Sequence, residues 1–282
     1  MELWYTEEHT DYAKFSIKIK KQLESAKSEF QDIAVFDTYE FGKILVLDGL
    51  LMLTERDEFV YHEMITHVAM AVNPKIKDVL VIGAGDGGTV RELARYDHIE
   101  RIDMVEIDKM VVDVCKKHIP QTACSFDDKR VNLFFEDGVK YVRRVVNEYD
   151  LIIVDSTDPF GPGEALFTKE FYGNCFKALK EDGILVNQHE SPYYEGDREA
   201  MQRSHRLIKS IFPISKVYQA HIPTYPSGHW CFGFASRSLD PIRDLKAEEW
   251  RKFNLETKYY NTDLHVGAFY LPTYVKELLE KC

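Results

Sequence analysis

The stretch VLVIGAGDGGTVREL, at residues 79–93, decides how this chain is expected to fold. A short apolar run ends in a glycine-rich turn, and the helix-like run TVRELARY follows it. Such a turn lets a ligand approach the backbone closely, and an acid about 20 residues further on is spaced to bind ribose hydroxyls. Glu106 stands at that spacing. The stretch predicts a nucleoside-binding strand–turn–helix unit, with a tight turn lacking any ligand as the alternative.

Strand-like and helix-like runs alternate from Lys77 onward. The runs are DVLVIG, TVRELARY, RIDMVEID, MVVDVCKKH, RVNLFFED, VKYVRRVV, DLIIVDS, EFYGNCFKALK and GILVNQHE. This alternation is typical of a parallel sheet with crossover helices. KVYQAHI and HWCFGFASR are expected to complete the sheet, antiparallel at its edge. The predicted fold class is α/β, a Rossmann-like, methyltransferase-type doubly wound sheet.

The N-terminal residues have a different pattern. Residues 1–55 contain short, partly alternating runs and a hairpin-like Asp48-Gly49 turn signal, which predict a small antiparallel β domain. The next run, ERDEFVYHEMITHVAMAV, has helical spacing of apolar residues and predicts a bridging helix over 56–73. We therefore expect an N-terminal β domain at 1–55 and a catalytic domain at 56–282.

Composition limits the possible partners. The 282-residue chain is 45% apolar and 29% charged, as is typical of a folded globular protein. Its net charge of −11 argues against nucleic-acid binding, because neutralising phosphates requires clustered Lys and Arg. A cationic small molecule fits this charge better, although many enzymes are acidic only for solubility.

Several features predict a cytoplasmic protein. The N-terminal run MELWYTEEHTDYAKF is acidic and polar, and no run approaches the ~18 apolar residues of a membrane span. The five cysteines are scattered without CxxC spacing, and no His/Cys cluster has zinc spacing. We expect reduced thiols, no bound metal and no membrane association.

Acidic residues stand at the ends of four successive predicted strands. In a doubly wound sheet, ligands bind beyond the carboxyl ends of the strands, so these acids are expected to meet in one crevice. Helix capping could account for one or two of them, but less readily for all. The acids are Asp86, Glu106, Asp108, Glu136, Asp137, Asp155 and, close behind, Asp158.

Asp86 indicates which nucleoside the crevice takes. It lies inside the loop where a dinucleotide would place its pyrophosphate, and the loop contains no Lys or Arg. Phosphate is therefore disfavoured, and an adenosyl sulfonium fits better, with Glu106 accepting from the ribose and Asp137 from the adenine amino group. Asp86 and Asp155 favour decarboxylated S-adenosylmethionine, which has no α-carboxylate. We expect it as a co-substrate, without a prosthetic group.

Five strings carry a resemblance to a known family: LVLDGLLMLTERDEFVYHEM (45–64), VLVIGAGDGGTVREL (79–93), VEID (105–108), VDSTDPFGPGEALF (154–167) and IPTYPSG (222–228). At these residues the sequence resembles the spermidine synthase family, and the likeness covers nearly the whole chain. The resemblance implies transfer of an aminopropyl group from decarboxylated S-adenosylmethionine to putrescine, giving spermidine and 5′-methylthioadenosine. It also implies a homodimer or homotetramer.

The resemblance implies particular residues for the donor. Gln31 and Glu106 would hold the ribose, Asp137 the adenine, and Asp86 with Asp155 the aminopropyl ammonium. The other donor-binding positions that it implies are Gly83, Gly85, Gly138 and Pro162. The Pro- and Gly-rich segment 157–169 is expected to form a lid, with a plain surface loop as the alternative.

For the acceptor, the resemblance implies Asp155 and Tyr61 as the catalytic pair, with the backbone near Ser156 beside the attacking amine. The remaining substrate-binding positions that it implies are His62, Asp86, Asp158, Gln188 and Tyr225. Glu190 is our candidate for holding the distal ammonium. Met52 stands where Gln is frequent in the family, so a hydrogen-bonding side chain near the donor is missing. Cadaverine, agmatine or a longer amine stay open as acceptors.

Two other functions are compatible with the predicted sheet. An S-adenosylmethionine methyltransferase would share the glycine-rich turn but would need a donor for the methionine carboxylate, and the acidic loop argues against it. A polyamine-binding protein could use the same crevice without catalysis. Asp155 and Tyr61 would be superfluous in a mere binder.

Overall fold

The computed structural model describes residues 2–156 and 161–282, without the side chains of residues 161, 162 and 164. Its N-terminal part is a five-stranded antiparallel sheet with the strands in chain order. Asp48 and Gly49 have φ of 48° and 85° and form the predicted turn between the last two strands. These strands are β1 (Leu3–Thr10), β2 (Ala13–Lys27), β3 (Asp32–Thr38), β4 (Lys43–Leu47) and β5 (Leu50–Thr54).

A buried helix, α1 (Glu58–Val72), follows the first sheet and leads into a series of alternating strands and helices. This series consists of β6 (Asp78–Gly83), α2 (Gly88–Ala94), β7 (Arg101–Glu106), α3 (Lys109–His118), α4 (Pro120–Ala123), β8 (Val131–Phe135), α5 (Gly138–Arg143), β9 (Tyr149–Asp155), a 3-10 helix (Gly161–Phe167), α6 (Lys169–Ala178), β10 (Leu179–Gln188), α7 (Glu195–Lys209), β11 (Ile214–His221) and β12 (His229–Ser236). Three helices complete the chain: α8 (Ala247–Arg251), α9 (Thr262–Ala268) and α10 (Thr273–Glu280).

The second sheet has the strand order β11-β12-β10-β9-β6-β7-β8. The five strands β8, β7, β6, β9 and β10 are parallel, and β12 is antiparallel to both of its neighbours. The chain order reverses between β6 and β9, so a crevice opens at the carboxyl ends of these two strands. Gly83, the last residue of β6, pairs there with Asp155, the last residue of β9.

Both faces of the second sheet are buried. Along β6, Val79 and Val81 belong to one hydrophobic cluster, whereas Leu80 and Ile82 belong to a second cluster on the opposite face. Because successive side chains of a strand point to opposite faces, this alternation shows helices packed on both sides of the sheet. The packed faces leave the carboxyl edge as the place for a ligand.

The structure confirms the predicted fold class, a Rossmann-like, methyltransferase-type α/β sheet with a small N-terminal antiparallel sheet. The runs KVYQAHI and HWCFGFASR lie in β11 and β12, which complete the sheet at one edge with antiparallel pairing, as expected. The division into domains at residue 55 stays a prediction. Among the described residues, no helix is long and apolar enough to cross a membrane.

Candidate active site

A cavity of about 200 Å³ lies at the carboxyl edge of the second sheet, and residues that end β6, β7 and β9 line it. It brings together most of the predicted donor site. The predicted residues that line it are Gln31, Tyr61, His62, Gly83, Gly85, Asp86, Glu106, Asp137, Gly138, Asp155 and Tyr225. In the described part of the chain, no Lys or Arg lines this cavity. We call it the donor cavity.

A smaller cavity of about 60 Å³ adjoins the donor cavity, and we call it the acceptor cavity. The two cavities share four lining residues, which mark the junction between them: Met52, Tyr61, Ser156 and Tyr225. Gln188 and Glu190, both predicted for the amine, line only the acceptor cavity. The predicted donor and acceptor residues therefore form two adjoining spaces.

Asp155 lines the donor cavity next to the junction residue Ser156, and both of its carboxylate oxygens accept hydrogen bonds. Tyr61 Oη donates to Oδ1 over 2.7 Å, and Thr89 Oγ1 donates to Oδ2 over 2.6 Å. Burial and the nearby charge of Asp86 raise the pKa of Asp155, against the opposing effects of His62 and the two hydroxyls. A raised pKa makes this carboxylate a better proton acceptor than an exposed aspartate.

His62 supplies a positive charge to the donor cavity. Its Nε2 lies 3.1 Å from Asp86 Oδ1, and its Nδ1 lies 2.5 Å from Glu58. Burial opposes protonation, but Asp86 and Glu58 outweigh it and raise the pKa of His62 to about 10. Burial alone would raise the pKa of Asp86. The neighbouring His62 imidazolium outweighs burial, so the pKa of Asp86 is lowered. The glycine-rich loop contains no Lys or Arg, and α1 provides the cation instead.

Neighbouring residues lie so close to the glycine-rich turn that two of its positions have no room for a side chain. A Cβ at Gly88 would overlap the His62 imidazole, and a Cβ at Gly83, where φ is +88°, would overlap the Asp155 carbonyl.

His62, Asp86 and Asp155 lie close enough together to hold a metal ion, with ligand atoms within 4.8 Å of one another. Both ring nitrogens of His62 already face carboxylates, Glu58 at Nδ1 and Asp86 at Nε2, so the three residues form a charge network.

Glu106 and Gln31 also line the donor cavity, and both hydrogen-bond to Asp108. Glu106 Oε1 accepts from the Asp108 backbone N–H at 2.9 Å, and Gln31 Nε2 donates to Asp108 Oδ2 at 3.0 Å. Burial raises the pKa of Glu106 to about 7. The negative charge of Asp108 also raises this pKa, whereas the hydrogen bond from the Asp108 N–H lowers it. Gln31 precedes β3, so the N-terminal sheet contributes to this wall.

Capping explains some of the acids. Asp108 accepts from Met110 N at 3.0 Å and caps α3, and Asp137 accepts from Val139 N at 2.8 Å and caps α5. Asp86 also accepts from Gly88 N, at 2.8 Å. Neither Glu106 nor Asp155 caps a helix, so helix capping does not account for these two acids at the ends of their strands.

The acceptor cavity is built around an unusual backbone conformation. Glu190 has φ of +69° and is 2% exposed, which for a residue other than glycine costs on the order of 1–3 kcal/mol. Its carboxylate accepts from Gln188 Nε2 at 2.6 Å. Tyr225 Oη donates to the Met52 carbonyl at 2.8 Å, so Met52 contributes its backbone where its side chain cannot hydrogen-bond.

Two polar atoms of the acceptor cavity have no hydrogen-bond partner among the described residues. These are the Trp230 indole N–H and the Ser156 hydroxyl, and both are buried. A buried polar group without a partner is unfavourable by about 1–3 kcal/mol, so such groups commonly mark a place that water or a ligand fills.

Sequence reasoning missed three charged residues of the acceptor cavity: Glu7, His9 and Asp197. Glu7 is 3% exposed although it lies in a strand of the small sheet. Tyr5, Glu7 and His9 alternate along β1, and this period of two is the signal that could have revealed an acid on the inward face. Asp197 lies in α7, and no sequence pattern around it indicated that it would face a cavity.

Part of the predicted site lies outside the described residues, and part of the predicted lid lines the donor cavity. Asp158 lies outside the described residues. Pro162 belongs to the 3-10 helix, but its side chain lies outside the described part of the chain. Within the predicted lid, Gly163, Ala165 and Leu166 line the donor cavity. The closing movement of a lid stays a prediction.

The fold and the site together define a class of protein, a methyltransferase-like α/β protein whose switch-point crevice is lined by carboxylates. A model of the spermine/spermidine synthase domain matches residues 58–246, and a model of the spermidine synthase tetramerisation domain matches residues 3–55. The chain belongs to the spermine/spermidine synthase family of polyamine aminopropyltransferases.

Individual relatives agree with this assignment. The chain is 71% identical over 281 residues to a polyamine aminopropyltransferase from Alkaliphilus oremlandii, covering 100% of this chain and 99% of that protein. It is 70% identical over 280 residues to one from Clostridium perfringens strain SM101, covering 99% of both.

Two solved structures are similar throughout. A spermidine synthase in complex with the transition-state analogue AdoDATO has a TM-score of 0.97 at 44% identity, covering 99% of this chain and 96% of that one. A spermidine synthase from Thermotoga maritima has a TM-score of 0.95 at 44% identity, covering 99% of this chain and 95% of that one.

Proposed function

We propose that this protein is a spermidine synthase, which transfers the aminopropyl group of decarboxylated S-adenosylmethionine to putrescine. The single observation that carries this proposal is the Tyr61–Asp155 hydrogen bond, which joins a residue that lines both cavities to a carboxylate of the donor cavity. The analogue complex of the similar spermidine synthase supports an adenosyl donor in the corresponding cavity of this chain.

The donor would lie with its nucleoside against β7 and its aminopropyl arm toward β9. Glu106 would accept hydrogen bonds from the ribose hydroxyls, and Gln31 would donate to them. Asp137 caps α5 with one carboxylate oxygen and would accept from the adenine amino group with the other. Asp86 and Asp155 face the sulfonium and the terminal ammonium. An α-carboxylate in that position would meet both acids, so S-adenosylmethionine itself is disfavoured by like-charge repulsion.

The reaction is a direct displacement. The amine nitrogen forms a bond to the carbon beside the sulfonium, the carbon–sulfur bond breaks, and its electron pair stays on sulfur to give neutral methylthioadenosine. The amine nitrogen loses one proton. Because an alkylamine has a pKa of ~10.4, exposing its lone pair at pH 7 costs about 4–5 kcal/mol.

Asp155 is the proton acceptor in this proposal. Its raised pKa reduces the mismatch with the amine, and the Tyr61 hydroxyl holds the carboxylate in position. The buried acids also hold two cations together that would otherwise repel each other. Placement of the reactants and this electrostatic stabilisation supply much of the rate.

The acceptor would extend from the junction into the acceptor cavity. Tyr225 and Trp230 provide aromatic walls, and aromatic faces attract ammonium groups. Glu190, Gln188 and Glu7 provide polar groups for the distal ammonium. Putrescine carries one ammonium beyond the reacting nitrogen, which these groups would bind.

We further propose that the protein is a cytoplasmic homodimer or homotetramer. The match of residues 3–55 to a tetramerisation domain supports an oligomer, and Leu3 and Trp4 of β1 are 47% and 54% exposed. All five cysteines are free, which agrees with a reducing compartment.

Mass spectrometry of the products tests the proposed function. The protein is incubated with decarboxylated S-adenosylmethionine or S-adenosylmethionine, together with putrescine, cadaverine or agmatine. We expect methylthioadenosine and spermidine from the decarboxylated donor and putrescine. A methylated amine would show a methyltransferase instead, and binding without any product would show a polyamine-binding protein.

A further inference from the structure

His9 connects two distant parts of the chain at the acceptor cavity. Its Nδ1 lies 3.2 Å from Glu7 Oε1 within β1, and its Nε2 lies 3.2 Å from Asp197 Oδ2 in α7. The imidazole also packs edge-on against Tyr194, with ring centroids 4.4 Å apart. An imidazole that faces a carboxylate at each nitrogen is held in one position.

The same contacts set the charge of His9. The hydrogen bonds to Asp197 and Glu7 outweigh burial and raise the pKa of His9 to about 9, so the ring is an imidazolium at neutral pH and both N–H groups donate. Glu7 Oε2 accepts from the Leu51 backbone N–H at 2.8 Å. The Glu7 carboxylate is thus fixed by the backbone of β5 as well as by His9.

His9 lines the acceptor cavity but not the donor cavity. Tyr61 and Ser156, which also line the donor cavity, mark the near end. Glu7, His9 and Asp197 line only the acceptor cavity. Behind them, the start of α7 lies at the surface, since Tyr193 is 64% exposed and the Glu195 side chain is 81% exposed.

We propose that His9, held between Glu7 and Asp197, sets the length of the acceptor by closing the far end of the acceptor cavity with bulk and positive charge. This inference rests on the proposed function and adds the substrate class to it. The site then accepts diamines, which have one ammonium beyond the reacting nitrogen. A triamine would bring a further ammonium against the imidazolium, and like charges at short range repel in this partly buried site.

Removing the imidazole should reverse this preference. His9→Ala removes both the bulk and the positive charge, and it leaves the Glu7 and Asp197 carboxylates facing the added space. Two carboxylates at the end of a lengthened cavity would attract the extra ammonium of a triamine. His9→Gln removes the charge but keeps much of the bulk, so it separates the two contributions.

The test measures kcat/KM for putrescine and for spermidine as acceptors, with decarboxylated S-adenosylmethionine as the donor. We expect the spermidine-to-putrescine ratio to rise by about tenfold or more in His9→Ala and by less in His9→Gln. His118→Ala is the matched control, because His118 has the same 14% side-chain exposure, lies 2.9 Å from Glu24 and lines neither cavity. Its ratio should not change.

The outcomes separate the two proposals. If His9→Ala transfers to putrescine with an unchanged ratio, or if the unaltered protein uses spermidine as well as putrescine, the role of His9 is wrong and the proposed function stands. If the unaltered protein transfers no aminopropyl group to any amine, the proposed function is wrong. If His9→Ala does not fold, the ratio measured with His9→Gln decides, and no increase would overturn the proposal.

Discussion

The Tyr61 hydroxyl donates a 2.7 Å hydrogen bond to Asp155, joining the first turn of α1 to the last residue of β9. The two residues are 94 positions apart in the chain. Thr89 holds the other carboxylate oxygen at 2.6 Å, so Asp155 is oriented from two helices at once. This fixed carboxylate lines the donor cavity, and its partner Tyr61 lines both cavities.

Asp155→Asn should abolish turnover while leaving the nucleoside site intact. The amide keeps the size of the side chain but cannot accept the amine proton, so we expect kcat to fall by about 100-fold or more. Affinity for methylthioadenosine, measured by calorimetry, should change by less than about threefold, because the leaving nucleoside lacks the aminopropyl ammonium. Asp113→Asn, an exposed change on α3, is the control. Unchanged turnover in Asp155→Asn would remove Asp155 from the mechanism.

Tyr61→Phe should reduce kcat by about tenfold or more, because it deletes the hydroxyl that orients Asp155. Tyr225→Phe is the matched comparison, since Tyr225 lines the same two cavities but donates to the Met52 carbonyl instead of a carboxylate. Steady-state kinetics with both substrates should show a smaller effect on kcat for Tyr225→Phe. Equal effects would mean that Tyr61 acts only through packing.

Affinity for methylthioadenosine should depend on pH through Glu106. The pKa of this buried carboxyl is about 7 in the ligand-free protein, above its ordinary value. Two ribose hydroxyls donate to the ionised form, so binding favours loss of the proton, and affinity should rise as the pH increases through about 7. We expect a gain of about tenfold between pH 6 and pH 8, measured by calorimetry.

Glu106→Gln provides the control for this pH dependence. The amide does not titrate, so its weaker affinity should stay constant over the same pH range. A pH dependence of the same size in Glu106→Gln would assign the titration to another group.

Gly88→Ala should lower the stability of the protein, whereas Gly173→Ala should raise it. A Cβ at Gly88 would overlap the His62 imidazole and displace it from Asp86, but a Cβ at Gly173 meets no atom within 4 Å. Gly173 lies inside α6, where alanine is favoured over glycine by about 0.5–1 kcal/mol. Urea denaturation of both variants measures the difference, and a stable Gly88→Ala would show that His62 can move freely.

Much of the donor side was predictable because its signals are local. The string VLVIGAGDGG predicts a buried strand and a tight glycine-rich turn, and both are present, with Gly83 and Gly87 at positive φ. Acids after successive strands could be assigned to one crevice, because parallel strands share a carboxyl edge. Asp86, Glu106 and Asp155 indeed line one cavity.

The far end of the acceptor cavity could not be predicted in the same way. His9 meets Asp197 across 188 residues of sequence, and the contact exists only because β1 lies beside the start of α7. Neither residue stands at the end of a predicted strand or in a glycine-rich turn. The direction of the His62 side chain likewise depends on where α1 packs against the loop.

The sequence by itself determined the order of strands and helices, the glycine-rich turn and the gathering of acids at one edge, because these follow from short-range patterns and from the shared direction of parallel strands. Only the tertiary structure decided the pKa shifts of His62, Glu106 and Asp155 and the meeting of Glu7, His9 and Asp197 at the acceptor cavity. Burial and neighbouring charges set a pKa, and here those neighbours come from elements far apart in the chain.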